Sequence, residues 1–176
     1  MHSRIVVLFA LITGLGAAHC GGKDTGSGSV PGTGAGDAQT PPTGESAVEA
    51  WLDEGHYKTW HCEPAPHDAR PGSAHGKNRI CSNELLSAHG AGEFPVGAAS
   101  VKELYDATST NIIGRAVYLH VSPGAGESYY WYERVSDHLN ADGLGTSGTP
   151  RDTCVGCHQG AGPKSMGHDL VFTQVR

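Results

Sequence analysis

The pentapeptide "CVGCH" lies at Cys154 to His158 with only 18 residues after it, and that position narrows the folds open to this chain. A Cys-x-x-Cys pair followed at once by histidine is the pattern of covalent haem attachment. The thiols reach the two vinyl groups of a porphyrin as thioethers, and the histidine falls beneath the iron as axial ligand. Small electron-transfer cytochromes attach haem near the N-terminus and draw a methionine ligand from a long segment beyond it. Here the segment beyond is short. Its "GAGPKSMGH" stretch offers Met166 and His168 as sixth-ligand alternatives, with Met166 read first as a loop residue. A four-helix cytochrome also carries the motif late, but the residues upstream do not read as a bundle.

They read as strands. Four stretches are short β-branched or aromatic runs: "VGAASVKELY" (Val96 to Tyr105), the run from Gly114 to Val121 that ends in "YLHV", "SYYWYERV" (Ser128 to Val135) and "DLVFTQV" (Asp169 to Val175). Glycine or proline punctuates them, the signature of antiparallel pairing. Ahead of them, "SAVEAWLDEGHYKTW" opens with a capping box, Ser46 and Glu49. Val48, Trp51 and Leu52 follow at helical spacing, and Gly55 marks a stop. "HCEPAPHDARPGSAHG" reads as a loop, and "SNELLSAHG" as a short helix closed by Gly90. The expected fold class is α+β: a small antiparallel sheet with flanking helices and a C-terminal haem site.

The N-terminal residues read as an export signal, residues 1–19, with Arg4 before the apolar run "IVVLFALITGLGAA". That run is too short to span a bilayer. "AAHC" resembles a bacterial lipoprotein processing site, with Cys20 as the candidate lipid anchor, although His19 stands where such sites carry a small residue. Residues 20–45, rich in Gly, Ser, Thr and Pro, read as a flexible tether. The haem domain is then residues 46–176. Five cysteines divide among these roles: Cys20 to lipid, Cys154 and Cys157 to haem, and Cys62 with Cys81 to a disulfide suited to an oxidising compartment. Zinc is the rival use. Cys62, His67, His75 and Cys81 are four zinc-capable side chains, and His168 could join the CxxCH group. The formal net charge of −6 argues against nucleic acid and against an anionic membrane surface, so membrane contact is expected only through the anchor. The expected location is the periplasmic face of a bacterial membrane.

Three stretches together resemble the cytochrome P-460 family and its c′-beta relatives: "GEFPVGAASVKELYD" (Gly92 to Asp106), "CVGCH", and the closing "DLVFTQV". The resemblance runs in order from Ile80 to Val175. It implies one haem c, attached through Cys154 and Cys157, with His158 as the proximal iron ligand. It also implies that Lys102, the lysine of "VKEL", is the candidate for a covalent bond to the porphyrin edge, a bond the c′-beta relatives lack. Family enzymes that oxidise hydroxylamine resemble one another in an acidic residue near the distal pocket. Strand alignment puts His120 at that place, as the candidate distal catalytic residue able to relay protons near neutral pH. Tyr129, Tyr130, Trp131 and Tyr132 are read as haem wall or as core.

The implied function is that of an exported haem oxidoreductase acting on hydroxylamine or nitric oxide, with one-electron transfer to an external carrier. Two alternatives stand beside it: a nitric oxide-binding or sensing protein without turnover, and a plain electron-transfer cytochrome.

Overall fold

The computed structural model describes residues 39–124, 128–161 and 168–176. The export segment, Cys20, the tether up to residue 38, and Met166 lie outside the described residues. Six strands form one antiparallel sheet in simple sequence order: β1 (His61–Cys62), β2 (Asn78–Ser82), β3 (Ala99–Tyr105), β4 (Ile112–His120), β5 (Tyr129–Val135) and β6 (His138–Leu144). The helices are short: α1 (Glu45–Glu54), α2 (Glu84–Ser87), a π-helical turn over Pro150–Val155, and α3 (Gly156–His158). The class is α+β. Among the described residues no helix is long and apolar enough to cross a membrane.

Strand side chains alternate, so the central strands present two different faces. Val101, Val117, Leu119, Tyr130 and Tyr132 point to one side. There they bury Val48, Trp51 and Leu52 of α1 together with Tyr57 and Trp60. The helix meets the sheet through residues at i, i+3 and i+4, the stripe its sequence predicts. Cys62 and Cys81 are register partners on β1 and β2, and their sulfurs are joined at 2.05 Å. That pairing takes both cysteines away from any zinc site with His67 and His75.

The helix starts differently from the expected capping box. Its N-cap is Gly44, at φ 89°, and no side chain caps it. Ser46 falls inside the first turn, while Glu49 turns to the sheet, accepting from the Tyr132 hydroxyl at 2.8 Å and pairing with Arg134. The sheet's own donors compete successfully for the carboxylate. The folded region also begins before Ser46. Pro41 and Pro42 are buried, and Asn83 donates to the Gln39 carbonyl at 2.8 Å. Proline carries no N–H to leave unpaired, which suits it to such a docking segment.

Two strand expectations change as well. Asp169–Val175 forms no strand. Asp169 and Leu170 take left-handed backbone (φ 48° and 66°), which turns the chain, and only a His168–Val171 bridge pairs. Gln174 instead donates to the Leu86 and His89 carbonyls at 2.7 and 2.6 Å, fastening the C-terminal segment across the end of α2. Conversely, β6 is an edge strand with no apolar alternation. Of its residues only Ala141 is buried, so the period that announces a strand is missing.

Candidate functional site

The opposite face of the sheet is where the CxxCH segment lies. Register places Ile80, Lys102, Ala116, Glu133 and Ala141 in one row across β2 to β6, and Ser82, Ser100, Tyr118, Trp131 and Gly143 in the next. Between these rows, the helical turn bearing the cysteines and the loop from residue 63 to 77 lies a two-part cleft. Both parts are lined by Arg70, Ser73, Ser100, Lys102, Tyr118 and His158. The larger adds His75, Trp131, Glu133, Cys154 and Cys157, and encloses roughly 830 Å³ of non-atom space, part of it open to solvent.

The cysteines stand on a widened helical turn in which the Gly156 amide donates to the carbonyl of Arg151 as well as Thr153. Such π-type turns recur at functional sites. Cys154 is half-buried and Cys157 exposed, and the two are not joined to each other. Burial, and the Glu133 carboxylate nearby, push the Cys154 thiol up to about 11.

His158 is fixed on two sides. Its Nδ1 donates to the Leu170 carbonyl at 2.6 Å, and its ring meets Trp131 edge-on at 4.8 Å. A carbonyl can only accept, so Nδ1 carries the proton and Nε2 keeps its lone pair. Burial pushes the imidazole down to about 4, so at neutral pH it is the uncharged form, the one that ligates a metal.

Lys102 comes from β3, on the cleft side as the alternation requires. Burial pushes its ammonium down to about 8, and the Arg70 charge adds to the effect. The two carboxylates nearest in charge to it are engaged elsewhere. Glu133 is held by His75 Nδ1 at 3.0 Å and by Asn140 at 2.9 Å. Glu63 is held by His67 at 3.0 Å and by the Ile80 amide at 2.7 Å. Burial pushes the Glu133 carboxyl up, but the His75 and Asn140 hydrogen bonds and the Lys102 charge outweigh it and hold the group below its ordinary value.

His120 lies outside the cleft lining. It is fully buried at the far end of β4, its Nδ1 donating to the Phe94 carbonyl at 2.5 Å and its ring edge-on to Tyr129. The acidic side chain in the cleft is Glu133, which no sequence motif singles out. Period-two alternation along β5 in register with Lys102 is the signal that finds it. Of the aromatic run, Trp131 walls the cleft while Tyr130 and Tyr132 belong to the helix-side core. His168 also lies outside the cleft, stacked on Phe94 with ring centroids 4.4 Å apart. Among the described residues no group of three or more His, Cys, Asp or Glu side chains is arranged to hold a metal ion by itself.

The residues present fit a haem. Two unjoined thiols and a neutral histidine of fixed tautomer line one cleft with apolar and aromatic walls, and among the described residues the Trp131 indole N–H in those walls is buried without a hydrogen-bond partner. No protein-family model, no curated protein and no solved structure matches the chain.

Proposed function

We propose that this protein is a mono-haem c-type cytochrome of the P-460 kind, and that it acts as an oxidoreductase on a small nitrogenous molecule such as hydroxylamine or nitric oxide. The observation that carries the reading is the convergence of Cys154, Cys157, His158, Lys102 and Glu133 on one cleft, from segments far apart in the sequence. Cys154 and Cys157 would hold the porphyrin by thioethers, and His158 would hold the iron through Nε2. When bound, the haem supplies a redox-active iron that takes up electrons from a ligated substrate and passes them singly to an external carrier.

The chain's own residues account for the remainder. The Leu170 carbonyl keeps His158 in the ligating tautomer. Lys102, with its ammonium lowered to about 8, presents a fraction of free amine at neutral pH; exchanging a porphyrin-edge C–H for a C–N bond is a two-electron oxidation, so the link would also require an external oxidant such as a peroxide. Glu133 takes the acidic role that the family resemblance assigns to the position of His120. A proton taken up at its Oε2 can pass to His75 Nδ1, 3.0 Å away on the covering loop, whose side chain is 22% exposed to solvent. Trp131, Tyr118 and Ile80 exclude water from the walls.

The test is peptide mass spectrometry on protein matured in a host with haem-attachment machinery. A haem-bearing peptide that joins the Cys154–His158 segment to the Lys102 segment is the expected result. Haem on Cys154 and Cys157 alone moves the assignment to nitric oxide binding or electron transfer. A chain without haem refutes it.

A further inference from the structure

The cleft wall continues along the sheet as a run of oxidisable rings that the proposed reaction does not use. Tyr118 and Trp131 are register partners on β4 and β5, and Tyr129, two residues before Trp131, is the diagonal neighbour of Tyr118. Such neighbours on one face of an antiparallel pair bring their rings together. The contacts lead in order away from the candidate iron ligand. Trp131 meets His158 edge-on with centroids 4.8 Å apart, Tyr118 meets Trp131 edge-on at 5.3 Å, and Tyr129 meets Tyr118 at 5.0 Å. Trp131 and Tyr118 line the cleft, while Tyr129 is fully buried. A carboxylate stands at the Tyr129 end. Burial pushes the Tyr129 phenol up, and the nearby Asp169 charge adds to the effect. Asp169 is itself fixed by the Phe94 amide, which donates to its Oδ2 at 2.8 Å.

Indole and phenol are the aromatic side chains that yield an electron to a strong oxidant. Electron tunnelling weakens exponentially with distance, so short steps between touching rings outrun one long step. An oxidised phenol is a strong acid, and its radical persists when a base takes the proton. This face supplies both requirements: rings in series, and a carboxylate at the end of the series.

We infer that Trp131, Tyr118 and Tyr129 form a radical relay that draws oxidising equivalents out of the cleft, with Asp169 taking the phenol proton. The inference rests on the haem reading of the cleft and adds a protective function to it. The oxidant is hydrogen peroxide, of the class that the Lys102 link also requires. Breaking its O–O bond takes two electrons. One comes from the haem, and the other leaves the Tyr129 ring and reaches the cleft through Tyr118 and Trp131. The Tyr129 O–H bond breaks, its proton passes to a carboxylate oxygen of Asp169, and a neutral phenoxyl radical remains. Tyr57 is the internal comparison. It too has a carboxylate, Glu103, and a tryptophan, Trp51, but it belongs to the helix-side core.

The experiment uses the full chain in two forms: matured with haem, and as the C154A/C157A double variant, which cannot attach it and has no cleft thiol to intercept a radical. In the haem-free form, azide radicals take one electron from tryptophan, and transient absorption follows the indole radical as it becomes a phenoxyl radical. One phase of that conversion is expected to vanish in W131F and to slow by roughly tenfold or more in Y118F, Y129F and D169N. Y57F leaves that phase unchanged. In the haem-bearing form, peroxide mixing followed by freezing should give a phenoxyl signal in electron paramagnetic resonance that Y129F lowers by roughly tenfold or more and Y57F preserves. Melting curves check folding, and D169N, which keeps every ring, carries the test if Y129F does not fold. Conversion in the haem-free form that is indifferent to W131F, or to both Y129F and D169N, overturns the relay. A peroxide radical that survives in Y129F and is lost in Y57F also overturns it. Because the first arm needs no haem, its failure is distinct from failure of the haem assignment, which the peptide masses report.

Discussion

The two faces of one sheet are built from alternate residues of the same strands, yet they are finished in opposite ways. On the α1 side, Val101, Val117, Leu119, Tyr130 and Tyr132 meet a helix and are covered. A buried carboxylate there is answered as well. Buried Glu103 accepts from Tyr57 and Tyr105 at 2.8 and 2.7 Å and pairs with Arg79. On the cleft side, among the described residues, the Trp131 indole N–H has no partner, and space is left between sheet and covering loop. Stability resides on the first face. The second departs from close packing and full hydrogen bonding at the place where CxxCH arrives, and such departures mark working sites.

Substitutions on the two faces should therefore differ in kind. The largest effect is expected from Trp51→Ala, which opens a cavity in the covered face and should cost about 3–5 kcal/mol in denaturant unfolding. Trp131→Ala in the haem-free chain should cost roughly half of that or less, because the ring already borders open space. Equal costs would break the comparison. Removing the Cys62–Cys81 bridge as a double serine variant should lower stability by about 3 kcal/mol, the value for closing a loop of this length, as read by the same unfolding curve with and without reductant.

A smaller effect is expected from pH. Lys102 has a folded value of about 8, below its ordinary 10.5. Between those values the unfolded chain binds the proton that the folded chain has released, so the Lys102 contribution to stability should rise with pH across that window and stay level below it, with the raised Cys154 thiol contributing the opposite slope between about 9 and 11. Lys102→Met should abolish the rise in the haem-free form, as followed by melting temperature against pH. The smallest effect belongs to Ser46→Ala. With the cap at Gly44 and Ser46 exposed, the change should stay within about 0.5 kcal/mol, against about 1 for a working cap.

What could be read from the sequence, and what could not, follows the same division. The helix stripe of Val48, Trp51 and Leu52 and the runs that became β3, β4 and β5 were legible because apolar burial on one face leaves a period. The polar edge strand His138–Leu144 left none. The apolar residues near the C-terminus imitated a strand, although left-handed backbone at Asp169 and Leu170 makes that segment a turn. In the cleft, the cysteines and His158 were legible as a contiguous motif, and Lys102 through the family resemblance. Arg70 and Glu133 were not, and His75 was legible only as a zinc-capable side chain. They lie far from the motif, and a charged residue in a loop or half-buried strand reads as a solvated one until its neighbours are known. His120 drew attention through the family resemblance, as the strand position aligned with a distal acidic residue, but the Phe94 carbonyl it bonds is invisible to any spacing rule.

The contact between His158 and the Leu170 carbonyl has an evolutionary consequence. Because the acceptor belongs to the main chain, a change of side chain at position 170 leaves the acceptor atom in place. Drift in the sequence there can alter packing against Val155 and Val171 while the imidazole keeps the same proton on the same nitrogen. Only a change that moves the backbone itself, at the left-handed pair Asp169 and Leu170, reaches the tautomer.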